Sequence, residues 1–169
     1  MAAATELATN LRERFAGARS ADAQRRSVNL LVVEDDPADA CLILEVLGRH
    51  PDVGEARAMD NPEAALDMLT AGVVHPDAIL VDIHMPRISG FEFVERLRRI
   101  REMTDTPVAF LTTSRLASNV DVARGISAYY VVKPDTFADL NVRLDVVIQH
   151  ILSGAWSTKD EHGIHSNRS

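Results

Sequence analysis

The chain has 169 residues, a formal net charge of −7 at pH 7, 46% hydrophobic and 25% charged residues, and a single cysteine. That length supports one domain with extensions, and the acidic balance argues against nonspecific affinity for nucleic acid or anionic membranes. Lone Cys41 excludes an internal disulfide, no apolar run approaches the roughly 20 residues that span a bilayer, and residues 1–15 lack the apolar core of a secretory signal, so a cytoplasmic protein is expected.

Residues 1–27 read as an N-terminal extension. Leu7, Leu11 and Phe15 recur at a four-residue spacing among Glu6, Arg12, Glu13 and Arg14. This is either a short amphipathic helix followed by a polar linker or a mostly disordered leader. From Val28 onward, short apolar runs without alternation mark strands at Val28–Val33, 78–81, 108–111 and Tyr129–Val132. Continuous rather than alternating runs indicate strands covered on both faces, as in a parallel sheet. A more polar run at 54–59 suits a sheet edge.

Helical patterns lie between the strands. Asp36-Pro37 opens the first, with a cap residue followed by proline at the first turn, and Leu42, Leu44, Val46 and Leu47 fall inside it. Cys41 lies on its apolar side and is expected to be a buried, inert thiol. Asn61-Pro62-Glu63 opens the second helix in the same way. Gly90 precedes the third, which carries Phe91, Val94 and Leu97. Residues 118–125 form a short, poor helical pattern, and 136–152 a long one. In the long pattern Phe137, Leu140, Leu144, Val147, Ile148 and Ile151 make one apolar stripe, with Val142 and Val146 off it. Residues 153–169 read as a flexible tail. The order βαβαβαβαβα is that of a doubly wound α/β sheet, whose ligands sit at the carboxyl ends of the strands.

Polar chemistry collects at those strand ends: Glu34-Asp35-Asp36 after the first, Asp82-Ile83-His84-Met85-Pro86 after the third, Thr112-Thr113-Ser114 after the fourth and Lys133-Pro134 after the last. Asp82 is the candidate nucleophile, a carboxylate able to attack phosphorus. With Glu34 and Asp35 it makes an all-oxygen site suited to Mg2+, which also offsets the cost of gathering like charges. Lys133 offers a point charge and Thr112 a hydroxyl for phosphoryl oxygens. Asp36 reads better as a helix cap than as part of the acidic cluster.

These residues resemble the receiver domain of two-component response regulators. The family pattern is an acidic pair after the first strand, Asp-x-x-Met-Pro-x-x-x-Gly after the third, Thr or Ser after the fourth and Lys-Pro after the fifth. Here it is carried by Glu34-Asp35, Asp82 to Pro86 with Gly90, Thr112 and Lys133-Pro134, within a receiver domain at 28–152. The resemblance implies a flavodoxin-like, five-stranded parallel sheet of order 2-1-3-4-5 with helices on both faces. It also implies Asp82 as phosphoacceptor, Mg2+ ligation by Asp35, Asp82 and the His84 carbonyl with Glu34 nearby, and a cis Lys133–Pro134 bond. Thr112 and an aromatic residue form the family's switch. Spacing from Lys133 selects Tyr130, whereas spacing from Gly125 selects Tyr129, and the alternation of the strand favours Tyr130. The Leu-Thr-Thr-Ser run and the late Trp156 look like single-domain receivers paired with bacterial phytochrome histidine kinases. His84 and Ser114 depart from that group at positions that border the path of hydrolytic water, where a steric role for His84 is favoured over a catalytic one.

Only 36 residues follow Lys133. The expected function is therefore a stand-alone response regulator that takes a phosphoryl group from a sensor histidine kinase of phytochrome type and signals through its own surface. It is a switch that catalyses its own phosphorylation rather than a metabolic enzyme. It has no DNA or membrane partner, and a homodimer would form on the face of helix 118–125, strand 129–132 and helix 136–152. Alternatives are a phosphorelay intermediate and an unphosphorylated scaffold. A haloacid-dehalogenase-type phosphatase is disfavoured because His84 stands where that class carries a second aspartate.

Overall fold

The computed structural model describes residues 27–113 and 128–154. Five strands, β1 (Val28–Val33), β2 (Val53–Met59), β3 (Ala78–Asp82), β4 (Val108–Thr112) and β5 (Tyr129–Val132), form one parallel sheet in the order β2-β1-β3-β4-β5. The polar run occupies the β2 edge, as its composition requires. Four described helices connect or follow the strands: α1 (Pro37–Arg49), α2 (Pro62–Thr70), α3 (Gly90–Leu97) and α4 (Phe137–Leu152). The helical pattern at 118–125, together with Ser114, Gly125, the extension and Trp156, lies outside the described residues.

Each helix start has a local chemical cause. Asp36 Oδ1 accepts hydrogen bonds from the N–H groups of Ala38 and Asp39, Asn61 Oδ1 from those of Glu63 and Ala64, Ser89 Oγ from Glu92, and Thr136 Oγ1 from Asp139. These oxygens satisfy donors that have no partner inside the helix.

The two-residue period of the strands divides the core into two layers. Leu30, Val32, Ala78, Leu80, Ala109, Leu111 and Val131 meet α1 and α4 on one face. Leu31, Val33, Ile79, Val81, Val108 and Phe110 meet α2 and α3 on the other. Every residue of β3 and of β4 is buried.

Two sequence expectations are corrected by this packing. Cys41 is exposed. The buried positions of α1 are Ile43, Val46 and Leu47, and a residue two before Ile43 lies about 200° round the helix from it. Phe137, placed in the interior stripe, is 40% exposed, and the Arg49 guanidinium lies 5.7 Å from its ring centroid. At the first position of α4 it has no preceding turn to help cover it. The centre of the stripe, Leu140, Leu144, Val147 and Ile148, is buried.

Gly90 fixes the loop after β3. Its N–H donates to the Ile83 carbonyl at 3.0 Å, and a Cβ there would fall 2.2 Å from the Asp82 carbonyl oxygen. Within the same loop Ile88 N–H donates to the Pro86 carbonyl, closing a three-residue turn about Arg87 at φ 74°.

Two stability measurements check this packing. In urea denaturation, Leu144→Ala lowers the unfolding free energy by about 2–5 kcal/mol, whereas Val142→Ala, at a 62% exposed site, changes it by no more than about 0.5 kcal/mol. Gly90→Ala costs about 1–3 kcal/mol, because backbone rather than a flexible side chain must give way.

Candidate functional site at the carboxyl edge of the sheet

The strand ends of β1, β3 and β5 converge on one cluster. Glu34 follows β1 and is 3% exposed; its backbone N–H donates to the Met59 carbonyl, which carries the sheet ladder one step past the strand. Asp82 ends β3 and is also buried. Its Oδ2 accepts the backbone N–H of His84 at 2.8 Å, so the turn after the strand fixes the carboxylate. His84 itself is exposed. One carboxylate oxygen from each of Glu34, Asp35 and Asp82 lies within 4.8 Å of the others.

Lys133 faces this cluster. Its Nζ donates to Glu34 Oε2 at 2.6 Å and to Asp39 Oδ2 at 2.7 Å, and stands 3.3 Å from Asp82 Oδ1. The Lys133–Pro134 peptide is trans, which corrects the expected cis bond. The lysine is placed instead by its own backbone N–H, which donates to the Thr112 carbonyl at 2.7 Å, and by the carboxylates its side chain reaches.

Electrostatics show what holds these groups. Burial pushes the Glu34 carboxyl above its ordinary range, although the Lys133 hydrogen bond opposes this. For Lys133, burial disfavours the ammonium, but hydrogen bonds to Asp39 and Glu34 and the charges of Asp82 and Glu34 outweigh it and raise its pKa. The backbone N–H groups of Asp39 and Ala38 hold Asp36 below its ordinary value, in keeping with its role as a cap.

The residues present fit a hard divalent cation. Three carboxylates, two of them buried, share a pocket with one lysine, which leaves an excess of negative charge that oxygen-ligated Mg2+ or Mn2+ would neutralise.

Thr112 and Tyr130 belong to the opposite face of the sheet. Thr112 is fully buried and shares the parity of Val108 and Phe110, while Tyr130 packs with the α2/α3 layer. Tyr129 belongs to the α1/α4 layer, its ring centroid 5.5 Å from that of His150. The structure thus brings Glu34, Asp35, Asp82 and Lys133 together, while Thr112 and Tyr130 share the strand parity of the α2/α3 layer. Asp39 is a site residue that sequence reasoning missed. It sits three positions into α1, where an acidic residue is ordinary helix-start chemistry, and only the fold shows that it meets Lys133.

A family model described as the response regulator receiver domain matches residues 30–145. The chain is 31% identical over 130 residues to the probable methanogenesis regulatory protein FilR2 of Methanothrix harundinacea, which covers 73% of this chain and 83% of that protein. It spans 24% of the length of a protein-glutamate methylesterase/protein-glutamine glutaminase of Nitrosomonas europaea that it also matches. Among solved structures, the Mn(2+)-bound form of response regulator Rcp1 is 26% identical, with a TM-score of 0.63, covering 79% of this chain and 97% of that one. The phosphorylated cyanobacterial phytochrome response regulator RcpA shares the fold at 23% identity, with a TM-score of 0.68 and coverage of 76% and 96%. The acidic cluster, the parallel sheet of order 2-1-3-4-5 and these matches agree: the chain belongs to the response regulator receiver family.

Proposed function

We propose that the protein is a stand-alone phosphorylation switch that accepts a phosphoryl group from a sensor histidine kinase onto Asp82. The carrying observation is the placement of Lys133 Nζ 3.3 Å from Asp82 Oδ1 beside the Glu34–Asp35–Asp82 cluster. In the transfer an Asp82 carboxylate oxygen forms a bond to phosphorus as the bond from phosphorus to the donor histidine nitrogen breaks. The electron pair stays on that nitrogen, and the product is an aspartyl phosphate.

Glu34, Asp35, Asp82 and the His84 carbonyl are the groups assigned to a Mg2+ ion, which when bound neutralises charge at the attacking carboxylate and the incoming phosphoryl oxygens. Lys133 supplies a positive charge to one phosphoryl oxygen from the end of β5, its Nζ standing 3.3 Å from Asp82 Oδ1. The His84 N–H on Asp82 Oδ2 restrains rotation of the nucleophile, leaving Oδ1, the oxygen nearest Lys133, to attack.

Thr112 is assigned to sense the new group through its hydroxyl and Tyr130 to follow it, because both belong to the same face of the sheet. Output then passes through the surface of β5 and α4, where Val142 is exposed, as a shift in an existing two-state equilibrium that favours a homodimer or a partner protein. The likeness that supports stand-alone action is to FilR2 and Rcp1, of which the matches cover 83% and 97%. The likeness to RcpA, a phytochrome response regulator, supports a kinase of phytochrome type. Among the described residues no helix is long and apolar enough to cross a membrane, and a cytoplasmic location accords with such a donor.

Incubation with acetyl phosphate and Mg2+ followed by intact-mass measurement is expected to show gain of one phosphoryl group. Asp82→Asn or chelation of the metal abolishes that gain; labelling of the Asn variant to the wild-type extent refutes the assignment. A second measurement uses the raised pKa of Glu34. Its ionised form is disfavoured in the folded, metal-free state, so that penalty is complete above the folded pKa and vanishes below the unfolded value near 4.5. Glu34→Gln without metal therefore raises the urea midpoint at pH 7, and the gap from wild type closes as pH falls towards 4.5.

A further inference from the structure

Lys133 has three N–H donors and three carboxylate neighbours: Glu34 at 2.6 Å, Asp39 at 2.7 Å and Asp82 at 3.3 Å. Two of those donors are engaged, by Glu34 and Asp39, before any phosphoryl group arrives, and Asp82 adds an ion pair. Two of its partners, Glu34 and Asp82, belong to the group of carboxylates able to hold a cation, and Asp39 does not. Asp39 sits on the first turn of α1, where its backbone N–H is held by the Asp36 cap at 3.1 Å, and its side chain is 39% exposed against 3% for Glu34.

We propose that Asp39 is a positioning residue for Lys133 that favours a divalent cation at Glu34, Asp35 and Asp82 and opposes a phosphoryl group on Asp82. The inference rests on the phosphoacceptor reading of Asp82. A cation at the cluster must compete with the lysine for Glu34 and Asp82. By offering a third carboxylate outside the cluster, Asp39 draws the ammonium away from the cation's ligands and adds one negative charge beside them. Once a phosphoryl group is on Asp82, both effects reverse in sign. Its oxygens need a lysine donor that Asp39 retains, and the Asp39 charge then faces a dianionic group across a single side chain. A residue acting only on the stability of α1 would move both affinities in one direction.

The test measures two binding constants on the full chain: Mn2+ by electron paramagnetic resonance, and beryllofluoride, a phosphoryl analogue, by titration at saturating Mg2+. Asp39→Asn is expected to weaken Mn2+ binding about two- to fivefold and to tighten beryllofluoride by a similar factor, the scale of a partly exposed ion pair. Asp39→Glu, which keeps the charge and can still reach Nζ, restores both towards wild type. Asp67→Asn, an equal loss of charge on an exposed position of α2, moves neither. The proposal is overturned if the two constants in Asp39→Asn shift in the same direction, if neither moves by twofold, or if Asp67→Asn reproduces the pattern. Wild-type protein that binds neither probe refutes the phosphoacceptor reading itself; wild type that binds both beside an inert Asn variant refutes only the role of Asp39.

Discussion

The ammonium of Lys133 is the constraint on which the carboxyl edge of this protein depends. Glu34 and Asp82 are buried at the ends of two adjacent, largely apolar strands, so the sheet forces the two carboxylates together. Bringing like charges out of water is costly unless they are paired and hydrogen-bonded. One lysine, reaching Glu34, Asp39 and Asp82 from the end of β5, supplies that pairing. A single positive charge against this many carboxylates leaves a net negative site, and a hard divalent cation is the ligand that such a residue complement fits.

The same edge is held in register by contacts that carry no charge. Gly90 lets the chain after β3 turn back so closely that no side chain fits beside the Asp82 carbonyl. Ser89 then starts α3, and the His84 N–H fixes the Asp82 carboxylate from within the turn. The loop thus positions the Asp82 carboxylate through its backbone; Ile83, Met85 and Ile88 turn into the core, and the side chains of His84 and Arg87 are exposed. Substituting those side chains leaves the hydrogen bonds that aim Asp82 in place, since the backbone supplies them.

Much of this was legible in the sequence because it is local. Continuous apolar runs announced buried parallel strands, and Asp36-Pro37 and Asn61-Pro62 announced helix starts by the chemistry of their own first turns. What depended on the angle of a helix against its neighbours was not legible. Cys41 sits among apolar residues yet lies on the far side of α1 from Ile43, and Phe137 continues a stripe that the end of the helix leaves uncovered. Asp39 was hidden for a related reason. An acidic residue in a first helical turn is explained by the helix alone, so nothing in its local pattern points to a lysine 94 positions away.

The two-residue period of the strands has a consequence for how an event at Asp82 would be felt elsewhere. Asp82 shares the parity of Ala78 and Leu80 on the α1/α4 face, whereas Thr112 and Tyr130 belong to the α2/α3 face. The strand backbones lie between the two layers, so strand alternation does not by itself connect the lysine to the tyrosine. The backbone does. The Lys133 N–H donates to the Thr112 carbonyl at 2.7 Å, joining the residue that faces the acidic cluster to the residue whose hydroxyl belongs to the other layer. Tyr130 lies three positions before Lys133 on the same strand, paired with Phe110 on β4. On the proposed reading, a phosphoryl group that draws in both Lys133 and Thr112 pulls on the two ends of that hydrogen bond together. On that reading the strand pair β4–β5 is the two-state element: fully buried β4 resists gradual deformation, and Tyr130 beside it is only partly buried.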